Sequence, residues 1–241
     1  MKLNRIFASM LILAASATAS FADGVVSLNW NNCTGPVNLA VAGGAPVDAY
    51  VSVIGQTLTA QSYQCVTAGG QPGGMKDAWR FDPAGCDAGF FTLNHVAPAA
   101  VSKSCPSFQG SLQSLQIKDY SYDATSGKVK IVLANAYPNG GAGNPAATVA
   151  GTHYFLANYH FDLTFGVAGA GSPPDNCGGV DVPACFALVS ASWLDTAGNE
   201  TSWTHGQDWI TANDAANGQH CPGVVPAQTR TWGSLKSQYR N

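Results

Sequence analysis

The residues of this chain with chemistry to offer are two histidine–aspartate pairs and a few oxygen-rich turns. His160 and Asp162 fall on one side of a stretch, His153 to Phe165, that alternates with a period of two. An imidazole beside a carboxylate makes an acid–base couple or half of a metal site. His205 and Asp208 form a second pair, in a segment flanked by Trp203 and Trp209. Indole faces beside Asn, Gln and Asp groups suit the stacking and hydrogen bonding of sugar hydroxyls. Trp203, His205, Asp208 and Trp209 are therefore the candidate ligand-binding residues. The competing reading places both tryptophans in the end of a core and makes both pairs ordinary polar neighbours. Asp175, Asn176 and Asp181, with the turn Asp195–Glu200, offer the oxygen ligands calcium prefers. Neither run has EF-hand spacing, and Asx-rich turns use the same residues without an ion. No metal site is assigned.

Motifs for enzymatic chemistry are missing from the sequence. It has no G-x-S-x-G elbow, no H-E-x-x-H and no phosphate-cradling G-x-x-x-x-G-K-[ST]. Glu200 is the only glutamate, so a glycosidase carboxylate pair would have to be built from aspartates. No residue is assigned a catalytic role and no cofactor is implied.

The first residues fix where such groups would work. Lys2 and Arg5 precede an apolar run from Ile6 to Ala15, and small residues lead to Ser20-Phe21-Ala22. This is the order of a secretory signal peptide, with cleavage expected between Ala22 and Asp23. The apolar run is shorter than the roughly 20 residues a spanning helix needs. The expectation is a leader over 1–22 and a single secreted or periplasmic domain over 23–241, with no membrane insertion after cleavage.

Charge is scarce. Charged residues make up 10% of the chain, against about 25% in typical soluble proteins. The formal net charge is −3, and losing Lys2 and Arg5 makes it more negative. No basic stripe exists to neutralise phosphates, which argues against nucleic acid and anionic membrane surfaces as partners. Scarcity of Glu, Lys and Arg also removes the strong formers of exposed helix. Val, Thr, Tyr, Phe and Trp between Gly and Pro punctuators favour strands joined by turns.

Strands are expected at Val25–Trp30, Ala49–Ile54, Phe90–His95, His153–Phe165 and Ala184–Leu194. A hairpin is expected from Leu112 to Ala134, turning at Asp123–Gly127. Strict alternation in His153–Phe165 puts Phe155, Ala157, Tyr159 and Phe161 on a core face and Leu156, Asn158 and His160 on the other. The Gly- and Pro-rich stretch from Tyr137 to Ala150 reads as a long loop inside one domain. Trp232, Leu235 and Tyr239 are spaced for one face of a short docked helix over Thr231–Arg240. The fold class expected is all-β, a two-layer antiparallel β-sandwich, jelly-roll or immunoglobulin-like, with a short C-terminal helix.

Cys33, Cys65, Cys86, Cys105, Cys177, Cys185 and Cys221 all follow the leader. Outside the cytosol disulfides are the default, and no zinc-like spacing competes with them. Local pairing suggests Cys33–Cys65 and Cys86–Cys105, with one bridge among the last three; spacing alone does not fix connectivity.

The ending Thr231-Trp232-Gly233-Ser234-Leu235-Lys236-Ser237-Gln238-Tyr239-Arg240 resembles that of a group of uncharacterised secreted bacterial proteins. The opening Leu28-Asn29-Trp30-Asn31-Asn32-Cys33 and the segment Asn176-Cys177 to Cys185 are similar to theirs as well. This chain departs from that pattern near Val41 and between Cys177 and Cys185, where such relatives carry further cysteines. The resemblance implies a single secreted unit and no chemistry. From sequence, then, the chain reads as a non-catalytic extracellular β-sandwich that binds a glycan or cell-surface component or serves a structural role. A secreted hydrolase using Asp and His is the alternative.

Overall fold

The computed structural model describes residues 25–54, 60–108, 115–136, 149, 151–195 and 197–214. The expected leader, the stretch from Tyr137 to Ala150 apart from Val149, Cys221 and the expected helix over Thr231–Arg240 lie outside the described residues. In chain order the strands are β1 (Val25–Trp30), β2 (Asn38–Leu39), β3 (Val47–Ile54), β4 (Ala60–Gly70), β5 (Phe91–Asn94), β6 (Leu115–Asp123) and β7 (Lys128–Ala136). They continue as β8 (His153–Phe161), β9 (Gly166–Val167), β10 (Cys177–Gly178), β11 (Ala184–Asp195), β12 (Glu200–Ser202), β13 (Thr204–His205) and β14 (Trp209–Ala212).

The chain is a two-layer β-sandwich. Sheet A has the order β13-β1-β3-β8-β5, and sheet B runs β2-β14-β11-β4-β7-β6 with β12 beside β11. Alternation decides which side chains fill the space between them. Val26, Leu28 and Trp30 of β1 face Phe186 and Leu188 of β11, Tyr63 and Cys65 of β4, and Ile131 and Leu133 of β7, all buried in one core. Rings hold the layers together. Trp30 meets Phe161 of sheet A and Phe186 of sheet B edge-on, at 6.1 and 6.4 Å. Trp79, from a 3-10 turn at Asp77–Trp79, packs against the same two rings.

The long strands pair antiparallel, as expected, and two short parallel additions make both sheets mixed. β13 runs parallel to β1, and β2 parallel to β14. These are two-residue segments that loops lay along a sheet edge, so no hairpin constrains their direction. The expected hairpin is β6–β7. Asp123 closes its turn by accepting the Thr125 N–H and the Ser126 hydroxyl, and Gly127 takes a left-handed φ of 67°. β4, the central strand of sheet B, is an addition to the strands expected.

The alternation expected for His153–Phe165 breaks at a bulge. Val51 lies opposite Ala157 and Ser52 opposite Phe155, so Leu156 is the extra residue in β8. Leu156 and Ala157 therefore both enter the main core. Phe155 turns to the other side of sheet A, into a small cluster with Cys33, Tyr50, Val101 and Cys105.

Local cysteine pairing is overturned. The bridges are Cys33–Cys105 and Cys86–Cys177, and Cys65 is a buried free thiol. Cys65 points into the core between the sheets, while Cys33 lies past β1 in the cluster on the far side of sheet A. Sequence proximity does not bring them together. Cys86–Cys177 joins the two cysteine groups by fastening the loop before β5 to β10. Cys185 is also disulfide-bonded.

Candidate functional site

The polar residues that the fold gathers lie on the outer face of sheet A. With Ala49, Val51 and Val53 turned inward, Asp48 and Tyr50 of β3 face outward, and the register sets Asp48 opposite His160 and Tyr50 opposite Asn158. β5 adds Thr92 beside His160 and Asn94 beside Asn158. The result is a hydrogen-bonded ladder across three strands. Asn94 donates its Nδ2–H to Asn158 Oδ1 at 3.2 Å, and Asn158 donates to Asp48 Oδ1 at 2.9 Å. His160 Nδ1 lies 2.8 Å from the same carboxylate oxygen. A carboxylate only accepts, so Nδ1 is the donor of this contact. The His160 and Asp48 side chains are 34% and 36% exposed, while Asn158 beneath them is buried. Burial, with the Asp48 charge beside it, pushes the Tyr50 hydroxyl up to about 12.

His160 is thus paired with Asp48 rather than with Asp162. Asp162 lies one residue beyond β8 and spends its Oδ1 on the Thr164 N–H and hydroxyl. That closes a local turn.

The four candidate ligand-binding residues divide. His205 and Asp208 do meet, with Nδ1 and Oδ2 3.2 Å apart, at the edge of sheet A opposite to β5. Trp203 is 2% exposed, and its ring packs 6.2 Å from Tyr63 and 6.1 Å from Phe108. Trp209 opens β14 in sheet B and is half-buried opposite Ala187. The chain crosses from one sheet to the other between the two tryptophans, so they present no common face. Trp203 is a core residue.

The oxygen-rich turns satisfy themselves. Asp181 Oδ1 accepts the Gly169 N–H at 2.8 Å, and the two oxygens of Asp195 accept the backbone and side-chain N–H groups of Asn199. Among the described residues, no group of three or more His, Cys, Asp or Glu side chains is placed to hold a metal ion.

One carboxyl stands apart from every sequence expectation. Asp87 is fully buried, and neither of its oxygens has a hydrogen-bond partner among the described residues. Burial, reinforced by the charges of Asp162 and Asp77, pushes it up to about 7.

No family model matches the chain, and no curated protein matches it. Among solved structures the chain is similar to a type II cohesin domain from the cellulosome of Acetivibrio cellulolyticus. That match has 11% identity and a TM-score of 0.44, covering 79% of this chain and 95% of that one. It is similar to the second type II cohesin module of the adaptor ScaA scaffoldin of the same organism, at 12% identity and a TM-score of 0.40, covering 80% and 98%. A type I cohesin–dockerin complex from Clostridium thermocellum matches at 10% identity with a TM-score of 0.36, covering 80% and 97%.

Proposed function

We propose that this protein is a non-catalytic binding module that works outside the cytosol and takes a protein partner on the outer face of sheet A. The observation that carries this reading is the ladder Asn94–Asn158–Asp48–His160, laid across a sheet face and half open to solvent. Its polar groups are already oriented by one another, so a partner meets them without first having to order them. The apolar rim supports the same reading. Phe90 and Val96, 37% and 57% exposed, bracket the edge strand β5 at its two ends. Polar groups mixed with apolar anchors make up an ordinary protein interface. Intrachain disulfides fit an oxidising compartment, as the leader-like start does.

A glycan partner is the weaker form of this reading. The stacking platform it calls for needs free aromatic faces, and Trp203 is in the core while Tyr50 lies under the Phe155 cluster. The test uses the mature protein on the surface of the cells that secrete it, beside a glycan array. Expected are saturable binding abolished by Thr92→Arg, loss of that binding after protease treatment of the cells, and a blank array. Array signal, with binding that survives the protease, would return the glycan reading.

The Asp48–His160 pair is also the orienting half of a general base. Turnover in a broad hydrolase panel that His160→Ala abolishes would move the assignment to the hydrolase alternative.

A further inference from the structure

Fixed positive charge is confined to one of the two sheets. No Lys or Arg stands on β1, β3, β5, β8 or β13 of sheet A, whereas Lys118, Lys128 and Lys130 lie on β6 and β7 of sheet B. The outer face of sheet A carries carboxylates instead. Asp48 stands on β3 opposite His160. Asp162, between the core residues Phe161 and Leu163, points the same way as His160, and its N–H donates to the Phe90 carbonyl oxygen. Two residues on from His160, Asp162 is the diagonal neighbour of Asp48, at a spacing of about 7–8 Å.

Each carboxylate is held by one oxygen. Asp48 Oδ1 accepts from Asn158 and His160, and Asp162 Oδ1 accepts from the Thr164 N–H and hydroxyl. Among the described residues the Oδ2 of each takes part in no hydrogen bond, and the ion pairs are Arg80–Asp82, His160–Asp48 and His205–Asp208. Neither carboxylate therefore has a Lys or Arg partner there. Lys103 lies on this side of sheet A, but in the loop whose Val101 and Cys105 pack on Tyr50 and Phe155.

An apolar anchor adjoins the carboxylates. Phe91 and Leu93 of β5 face the core, so Phe90 shares the outer face with Thr92 and Asn94. Phe90 is 37% exposed, and its ring is steadied by Phe165 at 5.1 Å. A partner that covers this face must supply donors to two preset carboxylate oxygens. Cationic N–H groups do so with charge-assisted bonds. A neutral or acidic surface would strip water from the carboxylates without replacing it.

The binding role proposed above is the basis for a narrower one. We propose that the partner presents a basic segment, with Lys or Arg on the Oδ2 atoms of Asp48 and Asp162 and an adjacent apolar side chain on Phe90.

The test uses the mature full-length protein and the protease-sensitive sites on the cells that secrete it. Asp48→Asn and Asp162→Asn each keep an Oδ1 acceptor for the existing hydrogen bonds and remove the charge. Each is expected to weaken binding several-fold, with the loss shrinking at about 1 M salt, where screening acts within roughly 3 Å. Phe90→Ser is expected to weaken binding at low and high salt alike, and Lys128→Ala, on sheet B, to leave it unchanged. Thermal melts establish that each variant is folded; if Asp48→Asn is not, Asp162→Asn and the salt dependence of the wild type decide. Binding that is unchanged or tighter in the aspartate variants would overturn the basic partner and leave the binding role standing. Absence of saturable, protease-sensitive binding by the wild type would overturn both.

Discussion

Trp30 donates its indole Nε1–H to the carbonyl oxygen of Thr211 at 2.8 Å, joining residues 181 positions apart. β1 belongs to sheet A and β14 to sheet B, so one hydrogen bond in the core stitches the two layers. The same ring touches Phe161 and Phe186.

Trp30→Phe removes this hydrogen bond, while the Thr211 carbonyl keeps its place in the β2–β14 pairing. The expected cost of the lost bond is about 0.5–1.5 kcal/mol. Trp30→Ala also opens a cavity between the sheets and is expected to cost about 3–5 kcal/mol. Chemical denaturation of the purified mature protein measures both, and equal stability of Trp30→Phe and wild type would remove the stitching role.

Cys65 is expected to be silent to thiol reagents in the native protein. Its side chain is fully buried in the core, and burial pushes the thiol up, away from the reactive thiolate. Ellman's reagent should find no thiol in buffer and a single thiol per chain in denaturant. Cys33→Ser with Cys105→Ser removes a bridge that spans 72 residues, and is expected to cost about 2–5 kcal/mol. Cys65→Ser tests packing alone.

Asp87 sets a pH dependence of definite sign. Its folded value of about 7 lies above the ordinary 3.8, so the native state holds a proton that the unfolded chain has released. Its contribution is complete below about pH 4 and is lost as pH rises through 7, at no more than roughly 1.4 kcal/mol per pH unit. Asp162, Asp77 and Tyr120 are the titratable neighbours that share this region. His153 and His95, both lowered chiefly by burial, act in the opposite sense, because they weaken the fold as pH falls through the histidine range. The difference between wild type and Asp87→Asn isolates the carboxyl. The variant should gain stability relative to wild type from pH 5 to pH 8, and a pH-independent difference would mean that Asp87 is ionised in the fold.

Secretion gives a direct check on the start of the mature chain. Intact mass of the exported product is expected to match a first residue of Asp23. Product retaining Met1 would remove export from the reading.

Much of the sandwich was legible because apolar alternation marks half-buried strands, and β1, β3, β6, β7, β8 and β11 all carry it. β4 was not. Its inward positions include Cys65 and Thr67, and Gly69 and Gly70 end it, so its two faces look alike in sequence. The bulge at Leu156 could not be read from β8 alone, because its register depends on β3. The site shows the same limit. His160 stood out, but its partner is 112 positions away at Asp48, just before the segment that looked like a strand. Asp162 was the nearer carboxylate in sequence, and a short polar side chain beyond a strand end closes its own turn. Trp203 looked like a ligand platform because neighbouring polar residues suggested exposure. Only the sheet crossing between Thr204 and Trp209 reveals that its ring faces inward.

The placement of the last strands bears on how the chain is made. Among the described residues β2 has β14 as its one strand neighbour, and β13 lies along the edge of β1 away from β3. While residues up to about 200 are being synthesised, the early strands therefore lack the segments that close them. A nascent chain in that condition keeps open sheet edges and a core short of Trp203 and Ile210. Such a chain is not yet a sandwich, and the stretch from Glu200 to Ala212 decides when it becomes one.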